Sequence, residues 1–287
     1  MVVERKRLGE LLLKYKLEPT LRDIYVEGES DVSIIRWILR EQGNIGAVVY
    51  HVLAIDVPVE KFVEFGQDQN NRGRVIVLAH ELARARLLSQ ATCIVDRDFD
   101  AILNRLTGPE NLLFTDYSSM EMYFFNNWHL SKLFSLVLGR QIENTQAIQD
   151  NIAAILQELF LIRLANHLLG LGFGCMTMTS CCQIKGGKIT FDLTEYMKRY
   201  MSKNGGYSHR SAFDRKIDEC RAVQLPDPRQ QMHGHDFLDL LAWYIRKSYS
   251  MQHFNEVSLK SALMASLEAS KLTSENLFVS ILCRVQS

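Results

Sequence analysis

Apolar positions in the first 130 residues switch repeatedly between a helical and an extended rhythm. Residues 7–17 read as a short amphipathic helix, and Asp23–Val26 as a strand that ends in a Glu-Gly turn. In the following DVSIIRWILREQG, Val32, Ile35, Ile38 and Leu39 recur at helical spacing, with Gly43 placed to close the helix at C′. Ala47–Leu53 is rich in β-branched residues and is predicted as a second strand. Asp56–Arg72 has no clear period, Arg74–Leu88 looks helical, and Ala91–Val95 is a short apolar strand stopping at Asp96. Asn111–Thr115 is a further strand, followed by a predicted helix over Ser118–Asn126. Such alternation predicts an α/β fold with a parallel sheet, right-handed crossovers and flanking helices. Ligands of such sheets bind beyond the carboxyl ends of the strands.

After residue 130 the strand signals thin out. Leu130–Leu138, Gln146–Leu169, Thr194–Met201, Ser211–Val223, Asp236–Tyr249 and Leu259–Leu272 look helical, with a hairpin at Gln183–Phe191 around Gly186–Gly187 and a break at Pro226–Pro228. The expected division is 1–130, an α/β domain, and 131–287, a mainly helical domain, joined without a linker. A length of 287 residues suits about two domains. The helix around Ile152–Leu169 is apolar on most sides, which points to burial in its own domain, with a partner interface as the alternative.

Composition changes this picture little. Apolar residues at 47% and charged residues at 23% exclude wholesale disorder. The 33 basic and 33 acidic side chains cancel, but residues 1–130 are net acidic and the remainder net basic, as suits a metal site beside a polyanion surface. The six cysteines show neither paired spacing nor C-x-x-C, so neither a disulfide framework nor a zinc site is expected. The charged start MVVERKRLGELLLKYKLEP is no signal peptide, and the most apolar stretch is interrupted by charged and amide residues. A cytoplasmic protein without a membrane span is the expectation.

The chemistry gathers at the predicted strand ends. Glu27 terminates a strand, Gly28 permits a turn, and Asp31 follows four residues after Glu27. Asp96 and Asp98 flank Arg97 after the third strand, and residues two apart in extended chain face the same way. Glu121 falls in the first turn of a helix past the fourth strand. Singly each has an ordinary explanation as a turn, cap or first-turn acid. Together the five carboxylates repel one another, and a divalent cation would resolve the conflict; all-oxygen ligands select Mg²⁺ or Mn²⁺ over zinc.

VEGESD followed some 65–70 residues later by VDRD resembles the TOPRIM domain, the Rossmann-like domain shared by topoisomerases, bacterial primases, RNase M5-like maturases and OLD-family nucleases. The resemblance covers residues 20–130. It implies that Glu27 is general acid/base or metal ligand and that Asp96 and Asp98 hold Mg²⁺, with Asp31 similar to the nuclease branch. YSSMEMYFFN resembles small TOPRIM proteins encoded beside ABC-type ATPases in anti-phage loci, the effector subunits of PARIS-type systems above all. This implies a toxic endonuclease of phage defence cleaving RNA, transfer RNA first, held by a neighbouring ABC-type ATPase and free to homodimerise on release. HGHDFLDLL matches more loosely a Gly-Lys-Asp or Gly-His-Asp step in related chains. His235 is the expected cation near the leaving group, with Lys185 and Lys188 as alternatives and ordinary loop histidines as the bland reading.

Lys185–Lys216 holds Lys185, Lys188, Lys198, Arg199, Lys203, Arg210, Arg215 and Lys216 against Asp192, Glu195 and Asp214, with Tyr196, Tyr200 and Tyr207 interleaved. Cations for phosphates and rings for unstacked bases are the signature of an RNA or single-strand surface; a solvated helix face with core tyrosines explains the same pattern. Gly187-Lys188 is followed by Ile189, and no glycine stands five residues before Gly187, so there is no phosphate loop and any nucleotide switch belongs to another chain. Competing readings are a housekeeping TOPRIM nuclease or RNA maturase, and a catalytically silent TOPRIM docking module. No tyrosine stands out as a topoisomerase nucleophile.

Overall fold

The structure is a computed structural model that describes residues 5–44 and 46–286; the first four residues of the charged N-terminal stretch lie outside them. The chain divides into two compact units: Met1–Arg97, Asn104–Asp116 and Glu268–Ser287 form one, Asp98–Leu103 and Tyr117–Leu267 the other. A single cut near residue 130 does not describe this. The C-terminal segment belongs to the first unit, where Asp116 Oδ2 accepts the Leu277 amide at 3.0 Å and the Glu110 carbonyl accepts from Arg284 at 2.5 Å.

The first unit is built on β1 (Lys6–Arg7), α1 (Leu8–Leu17), β2 (Asp23–Val26), α2 (Glu29–Glu41), β3 (Val49–His51), β4 (Ile55–Asp56), α3 (Val59–Glu64), α4 (Asn71–Arg84), β5 (Ala91–Val95) and β6 (Leu112–Phe114). Four strands pair in the order β3-β2-β5-β6, all parallel, and β1 pairs with β4 in a small separate parallel pair. The α/β class with a parallel sheet and flanking helices is therefore present. β2 and β5 are buried along their whole length, which is why their sequences run apolar instead of alternating. Leu8, Leu11, Tyr15, Val75, Leu78, Leu82, Cys93 and Val95 share one buried core. At the start of β2 that core holds a polar network. Asp23, 1% exposed, accepts from the Tyr15 hydroxyl at 2.8 Å and faces Lys14 at 3.4 Å, while the Tyr15 and Tyr25 hydroxyls meet at 2.8 Å. Burial, with the neighbouring Tyr25 and Asp23, pushes the Tyr15 phenol far above its ordinary range.

The second unit contains α5 (Asn127–Lys132), α6 (Thr145–Leu168), the antiparallel hairpin β7 (Cys182–Lys185) and β8 (Lys188–Phe191), α7 (Leu193–Lys203), α8 (Arg210–Arg221), α9 (Gly234–Tyr249) and α10 (Glu256–Ala265). The expected hairpin is present around Gly186–Gly187, both at positive φ, so the Gly187-Lys188 pair lies in a β-turn. Asn151 of α6 brackets Ile189 of β8, donating to its carbonyl at 2.9 Å and accepting its amide at 2.7 Å. α6 buries Ile152, Leu156, Leu159, Phe160 and Leu164, as its apolar sequence requires. Among the described residues no helix is long and apolar enough to cross a membrane.

Several boundaries differ from the sequence pattern. The stretch read as irregular, Asp56–Arg72, contains α3 and the first turn of α4, because the Asn70 side chain caps that helix by accepting the Gly73 amide at 2.8 Å. Ser118–Asn126 forms only a 3₁₀ turn, Met120–Phe124, with every residue buried and hence no solvent face. Leu130–Leu138 splits into α5 and a π turn, Leu133–Val137, and the helix expected over Leu259–Leu272 breaks after Ala265.

Candidate active site

In the first unit, parallel pairing brings three strand ends side by side. Val26 is in register with His51, and Tyr25 with Cys93, so the residues leaving β2, β3 and β5 converge at the carboxyl edge of the sheet. Glu27 is the first residue beyond β2, and Asp96 the first beyond β5. The Asp96 amide donates to Glu27 Oε1 at 2.9 Å, which sets the Glu27 carboxylate against the end of β5. The next step along the edge is made by the Arg97 amide, which donates to Thr115 Oγ1 at 3.0 Å just beyond β6.

The N-terminal turn of α4 locks this edge from above. Asn71 donates its side-chain amide to the Glu27 carbonyl at 2.9 Å, and His51 donates Nε2–H to the same oxygen at 2.8 Å. His51 Nδ1 lies 3.2 Å from Glu29 Oε1. Arg72, the next residue of α4, donates to the Asp96 carbonyl, and its Nη1 stands 3.6 Å from Glu27 Oε1. Both side chains are about four-fifths buried, at 20% and 19% exposure. Gly73 permits this turn, since a Cβ there would collide with the Asp68 carbonyl oxygen.

Asp31 is also in this unit. Its Oδ2 accepts the Gly28 amide at 3.1 Å and its Oδ1 accepts from Ser30 at 3.2 Å, so the Asp31 carboxylate closes the first turn of α2 from one side. The extended chain assumed for Asp96 and Asp98 does not continue that far. β5 ends at Val95, and Asp98 has left the extended conformation, with φ at +44°. Asp98 falls in the second unit, where its amide donates to the Ser118 carbonyl at 2.8 Å.

The second unit holds the remaining predicted residues. Glu121, 8% exposed, faces Lys260 Nζ of α10 at 2.7 Å. Burial alone would raise its pKa, but the Lys260 ammonium, its own backbone amide and the charge of His235 outweigh burial and hold the carboxyl below its ordinary value. His235 is exposed on the first turn of α9. Asp236 beside it is structural: Arg163 of α6 grips it with two hydrogen bonds of 2.7 and 2.6 Å. Gly234 makes room for Glu121, since a Cβ there would collide with Ser119 and lie 2.7 Å from Glu121 Oε2.

The basic stretch sorts into tied and untied cations. Arg199 is held by Glu195 at 2.7 Å and Arg210 by Asp214 at 2.7 Å, while Lys198, 72% exposed, is 4.0 Å from Glu195. Lys203 donates to the Cys175 carbonyl at 2.6 Å. Lys185 and Lys188 are exposed and directly opposite one another across the hairpin turn. Tyr196 and Tyr200 are buried on the apolar stripe of α7 and are not positioned for base stacking; Tyr207 is 56% exposed.

Sequence reading missed Lys260, Arg72, His51 and Asn71. Lys260 is 139 residues from Glu121 and carries no local signal. Arg72 had one: it follows an Asn-Asn pair and precedes a glycine, the composition of a capped helix start.

Among the described residues, no three or more His, Cys, Asp or Glu side chains are gathered into a metal-binding group. The ends of the adjacent strands β2 and β5 each carry one carboxylate residue, Glu27 and Asp96, of the oxygen-donor type a hard divalent cation takes, and the Glu27 carboxylate is held against the Asp96 amide. Compared with known proteins, the chain matches no family model and no curated sequence.

Proposed function

We propose that the protein is a Mg²⁺-dependent TOPRIM-type endonuclease, a toxic effector of phage defence that cleaves RNA, transfer RNA first, after release from a partner ABC-type ATPase. The observation that supports this most is the placement of Glu27 and Asp96 at the carboxyl ends of two adjacent parallel strands, joined by the 2.9 Å bond from the Asp96 amide to the Glu27 carboxylate. Carboxylates in that position, on that kind of sheet, are what metal-assisted phosphodiester hydrolysis needs.

Glu27 and Asp96 would hold the cation, which when bound supplies a Lewis acid for a phosphoryl oxygen and lowers the pKa of a water. The chain's own contribution is positional. The Asp96 amide fixes one Glu27 oxygen, and His51 and Asn71 pin the Glu27 carbonyl, so that the turn leaving β2 holds one conformation. Glu27, which has Arg72 beside it, is assigned the proton of the attacking water in this reading. Exposed Lys185, Lys188 and Lys198 offer phosphate contacts.

The test is inducible expression of the wild type and of Glu27→Ala, Asp96→Ala and Asp98→Ala in bacteria, followed by sequencing of RNA and DNA ends. New RNA ends in the wild type alone support the proposal. New DNA ends would reassign the substrate, and identical ends in wild type and Glu27→Ala would overturn the site. Co-expression with the neighbouring ATPase should give a co-purifying complex of reduced toxicity; separate elution at full toxicity would favour a stand-alone maturase.

A further inference from the structure

At the carboxyl edge of the sheet the Glu27 carboxylate already faces a cation of the chain itself. A cation close to a carboxylate favours its charged form. In the structure the cation beside Glu27 is a guanidinium: Arg72 Nη1 is 3.6 Å from Glu27 Oε1, and the same side chain donates to the Asp96 carbonyl. A guanidinium is always charged, and here its Nη1 lies beside both the Glu27 carboxylate and the Asp96 carbonyl, so one group neutralises and orients together.

We propose that Arg72 is an internal stand-in for the metal, a positioning residue that holds Glu27 and the end of β5 in place and competes with the divalent cation for the Glu27 carboxylate. The inference rests on the metal reading given above. Two features set the competition. Both side chains are mostly shielded from water, so their attraction is screened little. Arg72 is also fixed at its root, because the Asn70 cap and the close approach at Gly73 define the first turn of α4.

The consequence runs against the usual effect of damaging a site. Removing a positive charge next to a metal ligand favours metal binding, while removing the group that orients the ligand slows the reaction. Arg72→Gln should therefore bind Mn²⁺ about tenfold more tightly than the wild type, a conservative figure for one unit charge at this separation. Its cleavage should fall at least tenfold, with the loss in kcat and not recovered at saturating Mn²⁺. Arg72→Lys keeps the charge on a shorter side chain with a compact head group, so its Mn²⁺ affinity should stay near that of the wild type and part of the cleavage should return.

Mn²⁺ affinity is measured on the full chain by calorimetry and by loss of the free-ion electron paramagnetic resonance signal, without nucleic acid present. Circular dichroism melting checks that each variant folds; Arg72→Met, of similar length and without charge, carries the same test if Arg72→Gln does not. Equal or weaker Mn²⁺ binding by the neutral variant, with the wild type still binding, overturns the role of Arg72 and leaves the metal reading standing. Absence of Mn²⁺ binding in wild type and variants alike overturns both.

Discussion

Lys260→Met removes the ammonium that faces Glu121 and leaves a carboxylate with only 10% side-chain exposure without its partner. Breaking a buried pair from one side costs about 3–5 kcal/mol. Because Lys260 itself is 24% exposed, water can reach part of the gap, and the expected loss is about 2–4 kcal/mol. At about 2–4 °C per kcal/mol for a domain of this size, Tm should fall by about 4–16 °C at pH 7. The sign of the pH dependence follows from the direction of the Glu121 shift. In the wild type its folded pKa is lowered, so the pair stabilises the fold above the unfolded carboxyl range, and this is lost as pH falls through the lowered value. In Lys260→Met the ammonium that holds the Glu121 pKa down is gone, so protonation relieves the unpaired charge at a higher pH than in the wild type. The gap between the two proteins should thus be widest near neutral pH and narrow as the pH falls into the carboxyl range. Adding Glu121→Gln to Lys260→Met should recover more than half of the loss at neutral pH. Differential scanning calorimetry across pH measures all three effects. A gap below about 1 kcal/mol, the value of an exposed pair, or one that does not change with pH would show that Lys260 does not stabilise a buried Glu121 carboxylate.

Gly234→Ala should cost about 1–3 kcal/mol by overpacking against Ser119 and Glu121, read as a lower urea midpoint with an unchanged slope. Tyr15→Phe should cost about 1–3 kcal/mol in the same assay, because it removes the hydroxyl that meets buried Asp23 and Tyr25. Neutralising Lys185 and Lys188 should flatten the plot of log K against log salt for single-stranded RNA by about 0.7 for each phosphate they neutralise in the wild type. The same treatment of Lys198, Arg199 and Lys203 should flatten it less, since Arg199 is tied to Glu195 and Lys203 to a carbonyl.

What could be read in the sequence was set by local chemistry. β2 and β5 were legible because strands buried on both faces run apolar and stop at polar residues, and α2 and α6 because their periodicity spans several turns. α3 was hidden because it is six residues long, and the 3₁₀ turn at Met120–Phe124 because a segment buried on all sides has no periodic face. In the candidate site, Glu27 and Asp96 could be placed from strand ends alone. The backbone conformation at Asp98 could not, because the extended chain assumed there ends three residues earlier, at Val95. The cations that answer the acids escaped for a different reason. Arg72 and Lys260 act through tertiary proximity, 45 residues from Glu27 in one case and 139 from Glu121 in the other, and repulsion among carboxylates names the need for a cation without naming its source. The tyrosines of α7 show the reverse error: Tyr196, Met197, Tyr200 and Met201 form an apolar stripe at helical spacing, which was readable as core.

Glu27 at the end of β2 is the residue proposed to carry phosphodiester cleavage. The most direct measurement incubates purified wild type and Glu27→Gln with Mg²⁺ and labelled transfer RNA, single-stranded RNA and DNA, and resolves the products on denaturing gels. Glutamine keeps the shape of the side chain and its bond from the Asp96 amide while removing the charge. RNA cleavage by the wild type should be lost with Glu27→Gln at equal folding and equal RNA binding; cleavage by Glu27→Gln at the wild-type rate, or none by the wild type on any substrate with Mg²⁺ or Mn²⁺, would remove Glu27 from the reaction.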